Sequence, residues 1–329
     1  MEQALSNSLK TKSDMHEKML HFFLWNKCTL LLLTLFTNQA FSQLEGRIVE
    51  AGITVAPSNF LGDLGGNAGA GKPFLKDNNF SMTRMMVGAH VAYHPAEWYA
   101  LRLSANYGSI AGDDAVIKGK GGLEEARKIR NLNFRSRIAE VYVAGEFYPT
   151  AFLEADATDR VHKLRPYGVA GIGVFSFNPK GKDPQTGEWV NLHALHTEGQ
   201  GFPEYANRKN YSLTQVNIPL GVGIKYFLND RVSIGFEVIT RKTFTDYIDD
   251  VSTTYIDNNL FYKYMPLNVA VVANRMYDKS VSAANRNSGE KRGTSGHSDS
   301  YYAGGIKLNL ALGAIGSALS NMRCPKLRL

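Results

Sequence analysis

Apolar and polar residues alternate with a period of two over much of this chain. The clearest run lies between Leu213 and Tyr226, where Val216, Ile218, Leu220, Val222, Ile224 and Tyr226 take one set of positions. Gln215, Asn217, Pro219, Gly221, Gly223 and Lys225 take the other. Successive side chains of a β-strand point to opposite faces, so this period predicts a strand with one apolar and one polar face. The pattern recurs over 49–55, 84–93, 101–107, 139–147, 232–241 and 302–312, and a Gly-rich stretch over 164–177 is an eighth candidate.

Alternation fits a soluble sandwich as well as a barrel. The connections discriminate. Between the candidate strands they measure roughly 26, 5, 25, 14, 33, 2 and 57 residues. Long and shorter connections thus alternate, as in outer-membrane barrels, which have long outer loops and short periplasmic turns. The expectation is all-β: a transmembrane antiparallel up-and-down β-barrel of about eight strands with long extracellular loops. His94–Trp98, Thr150–Lys163 and Asn229–Asp230 would be the periplasmic connections. Tyr93, Trp98 and Tyr99 would belong to an interfacial girdle.

If the apolar face meets lipid, the polar face lines the lumen. That assigns Glu50, Glu140, Glu146 and Glu237 to the interior, with Arg84, Arg102, Lys225, Arg241, Lys307 and His90. An eight-stranded barrel is only wide enough inside to be filled by side chains. An unpaired buried charge costs several kcal/mol, so these groups are expected to close into an ion-paired network.

The N-terminus changes the address. The apolar run Leu30–Phe36 follows Lys27 and precedes Ala40-Phe41-Ser42. It reads as a signal peptide over 1–42, cleaved after Ser42, with Met15 or Met19 as a possible later start. The mature part, 43–329, is then an integral outer-membrane barrel with a C-terminal tail. Cys28 falls in the signal without the small residue that precedes a lipidated Cys. Cys324 is left alone, which excludes an internal disulfide and a cysteine metal site.

Composition adds exclusions. The formal charge is +7, and no basic run interleaved with aromatics marks a nucleic-acid surface. His90, His94, His162, His193, His196 and His297 stand in no motif that sets a nucleophile beside them, so no catalytic or metal residue and no cofactor is assigned. Asp246, Asp249, Asp250 and Asp257 lack the spacing of a calcium loop and read as solvated acids. Lys279 reads as an exposed loop lysine.

Several segments together resemble the PorG-like outer-membrane barrels of the type IX secretion system of Bacteroidota. They are Gly52 with Ser58-Asn59-Phe60-Leu61-Gly62-Asp63-Leu64; Pro166–Phe175 with Phe177-Asn178-Pro179-Lys180; Thr197-Glu198-Gly199-Gln200-Gly201; Tyr211–Gln215 with Ile218–Gly221; and Arg241–Ser252 with Thr253-Thr254-Tyr255. The resemblance implies a non-enzymatic anchor of a secretion and gliding machine. It also implies contact with periplasmic lipoprotein ring subunits, besides outer-membrane lipid and other outer-membrane proteins. A small general barrel acting as a narrow porin or surface adhesin is the alternative. Of the periplasmic connections only Thr150–Lys163 is long enough to bury much area. With the tail from Ala314 to Leu329 it is expected to face the partner, through Phe152, Leu153, Glu154, Asp156, Arg160, Arg323 and Lys326.

Overall fold

A computed structural model describes residues 48–65, 80–117, 124–153, 164–229, 231–281 and 286–312. Among the described residues the eight alternating stretches form strands and a short ninth strand, β6, joins them: β1 (Ile48–Leu61), β2 (Arg84–Ala96), β3 (Tyr99–Asp113), β4 (Asn133–Phe147), β5 (Leu164–Lys182), β6 (Trp189–Asn191), β7 (Thr214–Phe227), β8 (Val232–Thr243) and β9 (Ser300–Ala311). Eight of them close into an antiparallel barrel, because β1 pairs with β9 and β4 pairs with β5. Each remaining barrel pair joins strands adjacent in the chain order of the barrel. β6 is a short edge strand paired only to the outer end of β5. Closure leaves no barrel edge unpaired, which a sheet in hydrocarbon requires. No helix among the described residues is long and apolar enough to cross a membrane.

The period of two sorts the faces. Ile53, Val87, Leu103, Val141, Val143, Ile172, Val174, Val222, Phe236 and Leu308 are exposed on the outside. The alternate positions are buried, as in β4, where buried and exposed residues alternate without a break from Phe134 to Ala144. Small residues make room inside. A Cβ on Gly223 would lie 2.4 Å from the Tyr167 ring, so glycine there lets that tyrosine cross the lumen.

Connections 62–83, 114–132, 183–213 and 244–299 leave one end of the barrel, and 97–98, 148–163 and 228–231 leave the other. The first short turn is tighter than the sequence predicts. His94 and Pro95 belong to β2, so only Glu97 and Trp98 turn. In the third, Asn229 Oδ1 accepts the N–H groups of Arg231 and Val232 at 2.9 and 2.8 Å. Trp98 stands 5.9 Å from Phe152 and 6.2 Å from Phe147, all three exposed, as an aromatic cluster at the periplasmic rim.

Two of the long connections, 114–132 and 244–299, carry helices: α1 (Glu124–Arg130), α2 (Asn259–Tyr264) and α3 (Leu267–Tyr277). In α3 the buried Ala270, Ala273, Met276 and Tyr277 recur at helical spacing. They pack with Phe177, Leu192, Leu195, Phe202, Val251, Ile256 and Phe261 in a hydrophobic core continuous with Phe60, Phe134 and Tyr301 at the barrel mouth. The result is a folded cap on the outer end. β5 also runs past its predicted end at 177 to Lys182, where it pairs with β6 within this cap.

Candidate functional site

Two buried polar assemblies lie on the barrel axis: the lumen network and, above it, a junction that ties the cap together. In the lumen, inward positions of neighbouring strands deliver Glu50, Glu140, Glu146 and Glu237 against Arg102, Lys225, Arg241 and Lys307, all buried. Lys225 Nζ donates to both Glu50 oxygens at 2.9 and 3.0 Å and to Tyr148 OH at 3.1 Å. Arg102 donates to Glu237 at 2.6 Å and to Tyr142 OH at 2.9 Å, and its Nη1 lies 2.9 Å from Glu146. Lys307 Nζ sits 3.3 Å from Glu237 and 3.5 Å from Glu146. Tyr148 donates a short hydrogen bond to Glu146, and Tyr167 donates to Glu237 at 2.9 Å.

Nearer the cap, Arg241 reaches Glu140 at 3.2 Å. Glu140 also accepts from Asn217 at 2.6 Å, Asn106 at 2.9 Å and Tyr301 at 3.0 Å. His90 Nε2 lies 3.1 Å from Asn309 Oδ1, and Asn309 donates to Ser233 at 3.0 Å. What space remains beside Arg102, Tyr142 and Arg241 is a cavity of about 20 Å³, room for one water.

Arg84 is the exception among the residues assigned to the lumen. It is exposed and donates to its neighbour's carbonyl, Thr83 O, at 3.2 Å. Its parity along β2 is inward, but it is the first residue of the strand and its register partner is Ser58, so no acid faces it. Alternation gives the face and not the depth.

The cap junction is built on Glu198, fully buried. Its carboxylate accepts the N–H groups of Ser252 and Thr253 at 3.0 and 2.9 Å, the Thr253 hydroxyl at 2.6 Å and Arg292 at 2.9 Å. Gln200 Oε1 accepts the Glu198 N–H at 3.1 Å, and Gly199 and Gly201 adopt φ of +71° and +82°, a turn that glycine favours. This Glu-Gly-Gln-Gly segment, one of those that carry the resemblance, locks one outer loop onto another. Arg292 also donates to Asp250 O at 2.8 Å. Asp250 in turn accepts from Thr197 at 2.5 Å and Tyr211 at 2.6 Å.

Beside it, Asp249 accepts the Leu64 and Val251 N–H groups at 3.0 Å each, and Asp299 accepts that of Ile248 at 2.9 Å. Asp63 accepts the Thr294 N–H at 2.6 Å. Arg130 clamps Asp114 at 2.8 Å and donates to the carbonyls of Asp63 and Arg292. Burial pushes the Asp249 and Asp299 carboxyls well above the usual range, Asp63 adding to the effect on Asp249 and Asp249 to that on Asp299. It raises Asp246 to about 7 and Asp250 to about 6.

The acids expected in solvent are therefore mostly inside. Asp249 and Asp250 are buried, Asp246 is half-buried, and only Asp257 is exposed. Asp249 and Asp257 serve backbone N–H groups of irregular loops, which would otherwise go unsatisfied, whereas Asp250 accepts two side-chain hydroxyls. Lys279 is likewise buried, donating to Lys182 O at 2.8 Å and Asn133 at 3.2 Å, because the hairpin of β5 and β6 folds over it. Among the described residues no three His, Cys, Asp or Glu side chains are gathered as a metal site needs. His193 lies 2.9 Å from Tyr211 O, His196 packs on Phe202, and His297 is exposed.

On the periplasmic side Phe152 is exposed, and Leu153 ends a short 3-10 helix. Glu154, Asp156, Arg160, Arg323 and Lys326, like His162 and the segment 1–42 expected to be a signal peptide, lie outside the described residues.

No curated protein matches the chain. Among solved structures it is similar to Ail, the attachment invasion locus protein of Yersinia pestis (6% identity, 81% of this chain and 97% of that chain, TM-score 0.32). It is also similar to Neisserial surface protein A (8%, 80% and 96%, TM-score 0.33) and to OprG from Pseudomonas aeruginosa (11%, 82% and 96%, TM-score 0.32). A family model described as outer membrane protein beta-barrel domain matches residues 28–274. That match spans most of the chain and agrees with the closed eight-stranded barrel, and the chain belongs to this family of outer-membrane β-barrels.

Proposed function

We propose that this outer-membrane barrel is a non-catalytic, non-conducting anchor of a type IX secretion and gliding machine, holding a periplasmic lipoprotein ring at the membrane. The observation that carries the reading is the filled lumen. Four carboxylates and four cations occupy its cross-section, and the space beside Arg102, Tyr142 and Arg241 has room for one water, which favours an anchor over a solute pore. Support for the PorG-like assignment comes from how its segments meet. The Thr197–Gly201 and Asp249–Thr253 stretches, far apart in sequence, share the Glu198 hydrogen bonds. A shared buried junction is a reason for such separated motifs to occur together.

Crosslinking in intact cells, followed by co-purification, tests the partner. Periplasmic lipoproteins should be recovered with the wild-type barrel and lost when residues 151–161 are shortened to a tight turn, while membrane insertion persists. Retention of the same partner by the shortened barrel would place the interface elsewhere. Planar-bilayer recording should be silent, and steady channels would refute the anchor reading.

A surface adhesin is the second reading, favoured by the exposed Tyr262, Leu267 and Val271 on α2 and α3. Replacing these three by Ser should abolish attachment to a surface if the barrel is an adhesin, and leave secretion intact.

A further inference from the structure

The outward face of β4 and β5 carries four cations that make no ion pair with a carboxylate among the described residues. Going up β4 from the periplasmic rim, the outward positions pass Val143, Val141 and Ala139, and then reach Arg137 and Arg135, all exposed. On β5 they pass Ile172, Val174 and Ser176, and then reach Asn178, Lys180 and Lys182. The register sets Arg137 opposite Asn178 and Arg135 opposite Lys180, with Lys182 one outward step higher. Like charges directly opposite one another destabilise a sheet. Among the described residues none of the four cations forms an ion pair with a carboxylate. The nearby Asp183 is engaged by Arg275 at 2.7 Å.

Height fixes what could neutralise them. From Phe147 at the periplasmic end, Arg137 stands roughly 25 Å up the barrel wall, allowing for strand rise and tilt, about the height of the apolar band of such barrels. The cations therefore begin where hydrocarbon ends on the outer leaflet. One of them is prepositioned. The Arg135 guanidinium lies 4.0 Å from the centroid of the Trp189 ring, and Trp189 is held opposite Lys182 by β6. A guanidinium over an aromatic face keeps its in-plane N–H groups free, and their fork matches a phosphate.

We propose that Arg135, Arg137, Lys180 and Lys182 bind the phosphate of an outer-leaflet lipid headgroup, whose acyl chains lie on Val141, Ile172 and Val174 directly below. The apolar stripe under the cations selects an amphipathic ligand over free phosphate. At the same level β8 offers a single outward cation, Lys242.

Native mass spectrometry of the purified full barrel, mixed with bisphosphorylated lipid A, dephosphorylated lipid A or phosphatidylcholine, tests this. The wild-type protein should retain the bisphosphorylated lipid at least about tenfold more than the dephosphorylated one. Arg135→Gln/Arg137→Gln/Lys180→Gln/Lys182→Gln should erase that preference while the folded barrel still shows heat-modified gel mobility. Lys242→Gln should leave it unchanged. Equal retention of the two forms of lipid A by the wild-type barrel would overturn the proposal without recourse to any variant. So would an undiminished preference in the folded quadruple variant. Displacement of the lipid by millimolar inorganic phosphate would overturn the assignment to a lipid.

Discussion

Charge is buried in two different ways along the barrel axis. In the lumen each carboxylate meets a cation from another strand: Glu50 meets Lys225, Glu140 meets Arg241, and Glu146 and Glu237 share Arg102 and Lys307. In the cap, Asp246, Asp249 and Asp299 lie near one another and near Asp63, and what two of them bind is backbone N–H. The lumen faces hydrocarbon across a single sheet, where an uncompensated ion has no water to turn to. The cap lies outside the membrane, and protonation is open to its acids. The lumen is fixed by matched charge throughout, whereas the cap adds to its ion pairs, Glu198 with Arg292 and Asp114 with Arg130, a group of acids held by the N–H groups of irregular chain.

The sharpest way to break the comparison is to remove one member of a lumen pair. Arg241→Leu leaves Glu140 buried with only neutral donors, and should cost about 3–5 kcal/mol of barrel stability in a urea titration in micelles. Glu140→Leu/Arg241→Leu should cost less than Arg241→Leu alone, since no charge is left behind. A double variant weaker than the single would mean that Glu140 is not compensated by Arg241.

In the cap the corresponding change is Glu198→Ala. It strips two N–H groups and Arg292 of their acceptor, at about 3 kcal/mol. The loss should be local. Limited proteolysis should open the 244–299 connection at lower temperature, while the boiled and unboiled gel mobilities of the barrel stay as in the wild type. Loss of the barrel band would show that cap and barrel fold as one unit.

These two regions were not equally legible. The lumen follows from alternation, because a strand's inward positions are fixed by counting, and a closed eight-stranded barrel forces them together whatever the partners' separation in sequence. Glu140 and Arg241 need no motif to meet. Arg84 shows the limit, since counting says nothing of where a strand begins. The cap obeys no such period. Glu198 meets Ser252 through loop geometry, and Asp249 turns inward because it receives the Leu64 N–H across the cap. Only two signals were readable there. The helical spacing of Ala270, Ala273 and Met276 marks α3 within a supposed loop, and the paired glycines of Gly199-Gln200-Gly201 mark a left-handed turn.

That turn allows a finer cut. Gly199 has φ of +71°, and a Cβ there would approach the Tyr205 ring at 2.9 Å. Gly199→Ala should cost about 2 kcal/mol, again in the cap alone. Gly187, also at positive φ but with open space around it, should cost less as Gly187→Ala. Comparing the two separates backbone strain from the clash. Equal costs would assign the whole effect to φ.

The smallest effect is one of pH, and it distinguishes the regions by sign. Burial is the first cause of the raised carboxyls of Asp246 and Asp250, with Asp63 adding at Asp246 and Arg292, Thr197 and Tyr211 opposing at Asp250. Asp249 and Asp299 are raised further in the same direction. A carboxyl that binds its proton more tightly in the folded cap than in the unfolded chain adds stability fully below its unfolded value, about 4. That contribution declines as pH rises through the folded values, to about 6 for Asp250 and about 7 for Asp246. The usual carboxylate partnered by a cation gives the reverse. Hydrogen exchange at the Ile248 and Val251 amides, which donate to Asp299 and Asp249, reads this directly. Corrected for intrinsic rate, their protection should fall roughly tenfold between pH 5 and pH 8, a change of about 1.4 kcal/mol. Asp246→Asn should flatten the dependence, since an amide carries no charge at either pH. Protection that rises with pH would mean that these acids are ionised and matched by cations, and the contrast with the lumen would disappear.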